Sequence, residues 1–394
     1  MDRIYFDNAA TTPVSDEVVQ AMLPYFTHVF GNASSVHRFG QEAHAAMDSA
    51  REKVAKALGA KGQEIYFTSG GTEADNWAIR GALAASKRGN HVITSAVEHH
   101  AVLHTLESLQ KSGEADVTFL PVDEYGRVTA EQVAAAIRPD TALVTVMAAN
   151  NEVGTLMPVG EIGAVCRKEG VWFHTDAVQA VGHVPIDVVA MNIDMLTLSG
   201  HKLRGPKGIG ALYIRTGVRI ANLMEGGAHE RGRRPGTENV PGIVGLGVAV
   251  ERAAADMDKN AAHLTAMRDR MMMGIIEKIP EIKINGHPTE RLPGNVNVSI
   301  IYIEGEGLLL SLDLKGIAAS SGSACTSGSL DPSHVLLAMG LDHATAHGSL
   351  RLSLGEQNTM EEVERFLEEL PPIVDRLRAM SPLFAQKEGG LSYV

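Results

Sequence analysis

A chain of 394 residues, 44% hydrophobic and 21% charged, has the composition of a folded water-exposed protein and the length for about two domains, which excludes disordered and fibrous classes. Its 47 acidic against 35 basic residues leave a formal net charge of −12, which repels polyphosphate backbones and anionic membrane surfaces and argues against both as partners. The N-terminal MDRIYFDNAATTP has no basic region leading into an apolar stretch, and the only two cysteines, Cys166 and Cys325, are far apart, so a cytoplasmic chain without a disulfide framework is expected.

The first strong pattern is helical, from about residue 37 to 58, and Gly59 closes it. Short β-rich runs then alternate with helical segments at 64–69, 91–97, 117–122, 141–149, 171–177, 194–199 and 209–215. That alternation predicts a mainly parallel sheet covered on both faces. Thr129 with Gln132, and Thr359 with Glu362, have the spacing of a capping box and mark helix starts. Beyond about residue 255 the pattern becomes a long helix to about 278, strands at KING and 295–301, a helix near 306–315, a strand in SLRLSLG and a final helix from 359. This second region reads as a smaller α+β domain. Within it AASSGSACTSGS, rich in Gly, Ser and Ala, predicts a mobile surface loop carrying Cys325.

Open α/β sheets bind ligands at the carboxyl ends of their strands, and several polar groups fall there. Gly70, Gly71 and Thr72 follow the 64–69 strand and open a helix; the turn serves equally as a phosphate cradle or a simple strand-to-helix cap. Asp176 ends the 171–177 strand, where a carboxylate alone is commonly a helix cap. Lys202 follows the next strand in SGHKLRGPKGIG, flanked by Ser199 and His201. A lysine in such a turn is ordinarily a solvated charge, but near a carboxylate and an anion site it can condense with an aldehyde. An amine, a carboxylate, an anion cradle and a flat group such as His99 make up what pyridoxal 5′-phosphate requires. His100 and His104, four apart on a helix, suit zinc; yet no Glu follows His100, and His343 with His347 repeats the spacing without a third ligand. No resident metal site is expected. Cys166, in the helical EIGAVCRKEG, reads as buried filler.

From FDNAATTP through FGNASSVH, TSGGTEADN, VEHHAVL, ANNEVGT, FHTDAVQAVG, SGHKLRGPKGIG, RRPGTEN and SSGSACTSGSL to HGSLRLSLG, the chain resembles the NifS/IscS-type cysteine desulfurases. These are class V aminotransferase relatives of the pyridoxal-phosphate fold type I, and AHGSLRLSL is similar to the NifS branch. The resemblance implies an α/β fold with a mainly parallel large domain at 15–255 and a smaller α+β domain from 1–14 and 256–394, the catalytic Cys loop spanning 318–330. It further implies that Lys202 binds the cofactor aldehyde, Asp176 its pyridine nitrogen and Gln179 its ring hydroxyl. His99 would stack on the ring and assist proton transfer. Gly71, Thr72, Ser199 and His201 would hold the phosphate, with Thr237 reaching it from the other subunit of a homodimer. Asn151 would touch cofactor and substrate, and Arg351 would grip the substrate carboxylate. Gly71 stands where housekeeping members commonly carry alanine, and the resemblance does not extend to the tail FAQKEGGLSYV.

The implied reaction converts L-cysteine to L-alanine, the Cys325 thiolate taking the sulfur as a persulfide for an iron-sulfur scaffold or another acceptor protein. Cys325 would also serve as a transient cluster ligand with a scaffold partner. Selenocysteine lysis or another reaction on the same fold competes with this reading, as do a non-catalytic sulfur-delivery partner and a zinc hydrolase built on His100 and His104.

Overall fold

The computed structural model describes residues 3–321 and 332–389. Twelve strands occur among them: β1 (Ile4–Tyr5), β2 (Ile65–Thr68), β3 (His91–Ser95), β4 (Asp116–Leu120), β5 (Thr141–Thr145), β6 (Trp172–Asp176), β7 (Met195–Ser199), β8 (Gly210–Ile214), β9 (Ile282–Ile284), β10 (Asn295–Ile300), β11 (Ile317–Ala318) and β12 (Ser349–Ser353). Seven of them form one sheet in the order β2-β8-β7-β6-β5-β3-β4. The run from β7 to β4 is parallel, and β8 alone runs against its neighbours. All five residues of β5 and of β7 are buried, as a sheet covered on both faces requires. Each strand expected between residues 64 and 215 is present, so the α/β class stands.

The helix Arg38–Leu58 begins where His37 Nδ1 accepts from Gly40 N at 3.3 Å and ends at Gly59, whose φ of 68° is left-handed. Ala43, Met47, Ala50, Val54 and Leu58 form its buried stripe. That stripe lies against the helix Val240–Ala255, where a side chain on Gly247 would come within 2.7 Å of Ala50 Cα, so only glycine permits the approach. Thr129 and Gln132, like Thr359 and Glu362, make both hydrogen bonds of the expected capping box.

A second apolar core gathers Ile4 and Phe6 with the helices Met257–Lys278, Gly305–Leu314 and Met360–Ala379 over the antiparallel sheet β12-β10-β9. The N-terminal segment is held there because β1 pairs in parallel with β11 and Asp7 bridges Ser353. Both strands of that pair have two residues, too few to leave an alternation in sequence. Val335, Leu336, Met339, Leu341 and Ala346 instead join the core under the large sheet. Residues 332–346 therefore pack on the larger body although they lie within 256–394. Among the described residues no helix is long and apolar enough to cross a membrane.

Candidate active site

The carboxyl ends of β2, β3, β5, β6 and β7 open on a common cavity. Of the residues singled out from sequence, Gly71, Thr72, His99, Asn151, Asp176, Gln179, Ser199, His201, Lys202 and Arg351 all line it. Thr237 does not: it is exposed and lies in a separate hollow with Ser69, Gly208 and Arg234. Cys325 and most of the 318–330 loop lie outside the described residues.

The strand-to-helix turn at Gly70 has φ 156° and ψ −177°, a conformation open essentially only to glycine. The helix Gly71–Ala85 begins there without a side-chain cap, so its first N–H groups and its dipole face the cavity rim. Glu73 turns back to accept from Ser69 N at 2.8 Å and pairs with Arg234 through both oxygens.

Lys202 ends the short turn Gly200–Lys202 after β7, and its Nζ donates to the carbonyls of Ala9 and, at 2.7 Å, of Ala10. Gln179 Nε2 donates to the same Ala9 carbonyl at 3.0 Å, so the N-terminal segment forms one wall of the site. Asp176, at the end of β6, is 6% exposed and accepts from Val178 N at 2.9 Å. Burial raises its carboxyl above the usual range while that hydrogen bond and Lys202 pull the other way. His99 caps the helix His100–Lys111, its Nδ1 accepting from Ala101 N at 3.1 Å. Burial, then Lys202, pushes its ring down to about 4, and His201 is pushed to about 4 by the same two causes. Both rings are therefore neutral near pH 7.

Arg351, in the middle of β12, is 1% exposed. Its Nη2 donates to Asp7 Oδ1 at 2.9 Å and its Nη1 to the Asn151 carbonyl at 3.3 Å, while its buried Nε has no partner in the protein. A guanidinium held on one edge in this way retains a donor for an incoming carboxylate.

Three residues that sequence reasoning left without roles belong to the site or its wall. Asp7 positions Arg351, and it was legible as the one acid in the quoted FDNAATTP. Glu98 is fully buried, accepts from Met147 N through both carboxylate oxygens at 3.0 Å and from Ser95 Oγ at 2.6 Å, and is pushed up to about 8 by burial. Glu152 accepts from Ser333 Oγ and is pushed up to about 7 by burial. Buried acids carry no sequence mark that separates them from surface ones.

The Glu98 carboxyl makes a testable prediction. Its folded-state pKa lies above its unfolded one, so ionising it costs stability that accumulates as pH rises from about 4.5 to about 8. A Glu98→Gln variant does not titrate and keeps an acceptor for Met147 N. Its melting temperature relative to wild type should climb across that window and level off above it; a difference constant with pH would refute the burial assignment.

His100 lies with its ring centroid 4.6 Å from that of His104 and 4.7 Å from that of His334. Among the described residues no three His, Cys, Asp or Glu side chains converge on a metal-sized gap, so these histidines give the zinc-hydrolase reading no support.

Residues 4–366 match the family described as Aminotransferase class-V. The chain belongs to that family. Within this class V family it sits among the cysteine desulfurases of the NifS/IscS type. A cysteine desulfurase IscS of Methanosarcina thermophila is 59% identical over 381 residues, covering 96% of this chain and 94% of the relative. Among solved structures, a NifS-like protein superposes with a TM-score of 0.89 at 40% identity, over 95% of this chain and all of the other. A structure described as SspA in complex with cysteine reaches a TM-score of 0.79 at 40% identity, over 90% of this chain and 100% of the other. Class V aminotransferases are pyridoxal-phosphate enzymes, and the donor set fits that group: an uncapped helix N-terminus, two hydroxyls, a buried carboxylate and a lysine around one cavity.

Proposed function

We propose that this chain holds pyridoxal 5′-phosphate and uses it to convert L-cysteine to L-alanine, passing the sulfur through Cys325 to an iron-sulfur scaffold or another acceptor protein. The observation that carries the reading is the meeting of Lys202, Asp176 and the Gly71 helix start in one cavity with Arg351. When bound, the cofactor supplies an aldehyde and an electron-withdrawing ring that weakens the bonds at the substrate Cα.

The residues divide the remaining work. The N–H groups of Gly71 and Thr72, with Ser199 and His201, hold the phosphate. Asp176, as a carboxylate, keeps a proton on the ring nitrogen. Gln179 bonds the ring hydroxyl. His99, neutral and half-buried, would supply a flat face to the ring and be available as a base. Asn151 touches cofactor and substrate. Arg351 orients the substrate by its carboxylate, so that its Cα–H faces Lys202. Lys202 would take that proton at Nζ and return it to the product. The Cys325 thiolate would attack the substrate sulfur as the Cβ–S bond breaks, the electron pair staying on Cβ, which takes up a proton on the way to alanine, while the sulfur remains on Cys325 as a persulfide.

The same reading places Thr237 on the phosphate of the other subunit in a homodimer, and its exposure away from its own chain's cavity supports this. It also divides the chain into a large body at 15–255 and a smaller one from 1–14 and 256–394, working in the cytoplasm. The test is direct: purified protein should show a visible cofactor band, which should change on adding L-cysteine as alanine and sulfide appear. A colourless protein that stays inactive after incubation with pyridoxal phosphate would refute it.

A further prediction concerns substrate capture. Arg351→Lys retains the charge but loses the planar fork, so KM for L-cysteine should rise about tenfold while kcat falls less. Equal loss in both would remove Arg351 from ground-state carboxylate binding.

A further inference from the structure

Asp75 and Asp176 both line the cavity, and both are sealed from solvent, at 1% and 6% exposure. Two carboxylates in one dry space repel each other, so their protonation must be settled by what surrounds them. Asp176 has its backbone donor and Lys202. Asp75, on the second turn of the helix Gly71–Ala85, has far less: its Oδ1 is buried without a hydrogen bond. Among the described residues no Lys or Arg pairs with it, and its nearest ionisable nitrogen is His174 Nε2 at 3.7 Å. The other ionisable groups acting on it are Asp176 and Glu98, both acids.

His174 is fully committed. Its Nδ1 lies 2.8 Å from the Thr145 hydroxyl and its Nε2 3.0 Å from the Thr197 hydroxyl, the one side-chain donor whose influence favours the charged form of Asp75. Burial keeps the ring neutral, pushed down to about 3, so it carries one N–H. With that proton on Nδ1, donated to Thr145, the Thr197 hydroxyl donates to Nε2 and has no proton left to offer Asp75, whose carboxylate would then have no side-chain donor. With the proton on Nε2, Thr197 donates to an ionised Asp75 whose other oxygen stays bare and faces a second anion. The first arrangement leaves no donor for a carboxylate and so calls for the acid form; the second strands a charge. Burial first, and Asp176 next, also drive the Asp75 carboxyl well above the usual range.

We propose that Asp75 is the neutral, protonated acid of this site, a positioning residue beside the Thr145–His174–Thr197 chain that leaves Asp176 as the one ionised carboxylate facing the ring nitrogen. The role of Asp176 rests on the cofactor reading above, whereas the protonation of Asp75 does not. The test is infrared spectroscopy of the holoenzyme at neutral pH. Asp75→Asn should remove the carbonyl stretch of a buried carboxylic acid, Glu98→Gln should remove a separate one, and Thr197→Val should shift the Asp75 band while leaving the Glu98 band in place. The visible cofactor band supplies a second readout. Its pH midpoint should move by less than about half a unit in Asp75→Asn, because no charge is lost, whereas removal of an ionised Asp75 would move it by more than about one unit. A wild-type spectrum without a band assignable to Asp75, or the larger shift, overturns the proposal. Should Asp75→Asn fail to fold, a Thr197→Val spectrum without the expected band shift overturns it. Failure to bind the cofactor at all would instead refute the functional reading, leaving the infrared bands of the protein to decide Asp75.

Discussion

Lys202→Ala is expected to lower alanine and sulfide formation by at least about a thousandfold, the upper part of the range for loss of a positioned proton-transfer group. The structure gives the reason in the position of one atom. Nζ is anchored by the Ala9 and Ala10 carbonyls at the mouth of a cavity that holds Asp176 and Arg351. His99 and His201 are neutral there, and the other cation, Arg351, is committed to Asp7 and Asn151. No neighbour reproduces a mobile amine at that spot. The variant should remain folded, because the two carbonyls it releases belong to a segment fixed independently by β1 and β11. Borohydride treatment of wild type should fix the cofactor to Lys202, as read by peptide mass, and the variant should show no such label. Labelling at another lysine would overturn the assignment.

Cys325→Ala should keep the visible cofactor band and its initial response to L-cysteine, yet lose sulfide release and persulfide by about a hundredfold or more. The argument is by elimination. Cys166 is fully buried in the helix Val159–Glu169, and burial, with Asp194 adding to it, pushes its thiol up to about 12. A thiol that is neither ionised nor reachable cannot attack a substrate, so Cys166 does not compete with Cys325 for the role proposed above. Cys166→Ala should accordingly cost stability through the small void it leaves, read as a lower melting temperature, with the persulfide still forming on Cys325. Persulfide recovered on Cys166 would reverse the assignment.

The fold was legible wherever a residue pattern ran long enough to be periodic. β5 and β7 announced themselves as apolar runs bounded by polar turns, and Thr129 with Gln132 marked a helix start by side chains that do cap it. The two-residue strands β1 and β11 were not, because their pairing is decided by a partner more than 300 positions away. The packing of Val335 to Ala346 on the large sheet was hidden for the same reason. At the site, residues at strand ends and glycine turns could be found by position, and ten of those singled out line a single cavity. Asp75, Glu98 and Glu152 could not be ranked from sequence, since what distinguishes them is the loss of water around a carboxyl group that tertiary packing alone produces. Asp7 was present in a quoted motif, but its importance depends on Arg351 arriving from the opposite end of the chain.

The course of the first ten residues has a practical corollary. They leave the smaller hydrophobic cluster at Phe6, hand Asp7 to the guanidinium of Arg351, and deliver two carbonyl oxygens to the amine of Lys202. On the proposed roles, the opening stretch is thus a strut joining the grip on the amino acid to the group that deprotonates it. An insertion between Asp7 and Ala10 would slacken both ends together, whereas a purification tag placed ahead of Ile4 leaves the strut itself untouched.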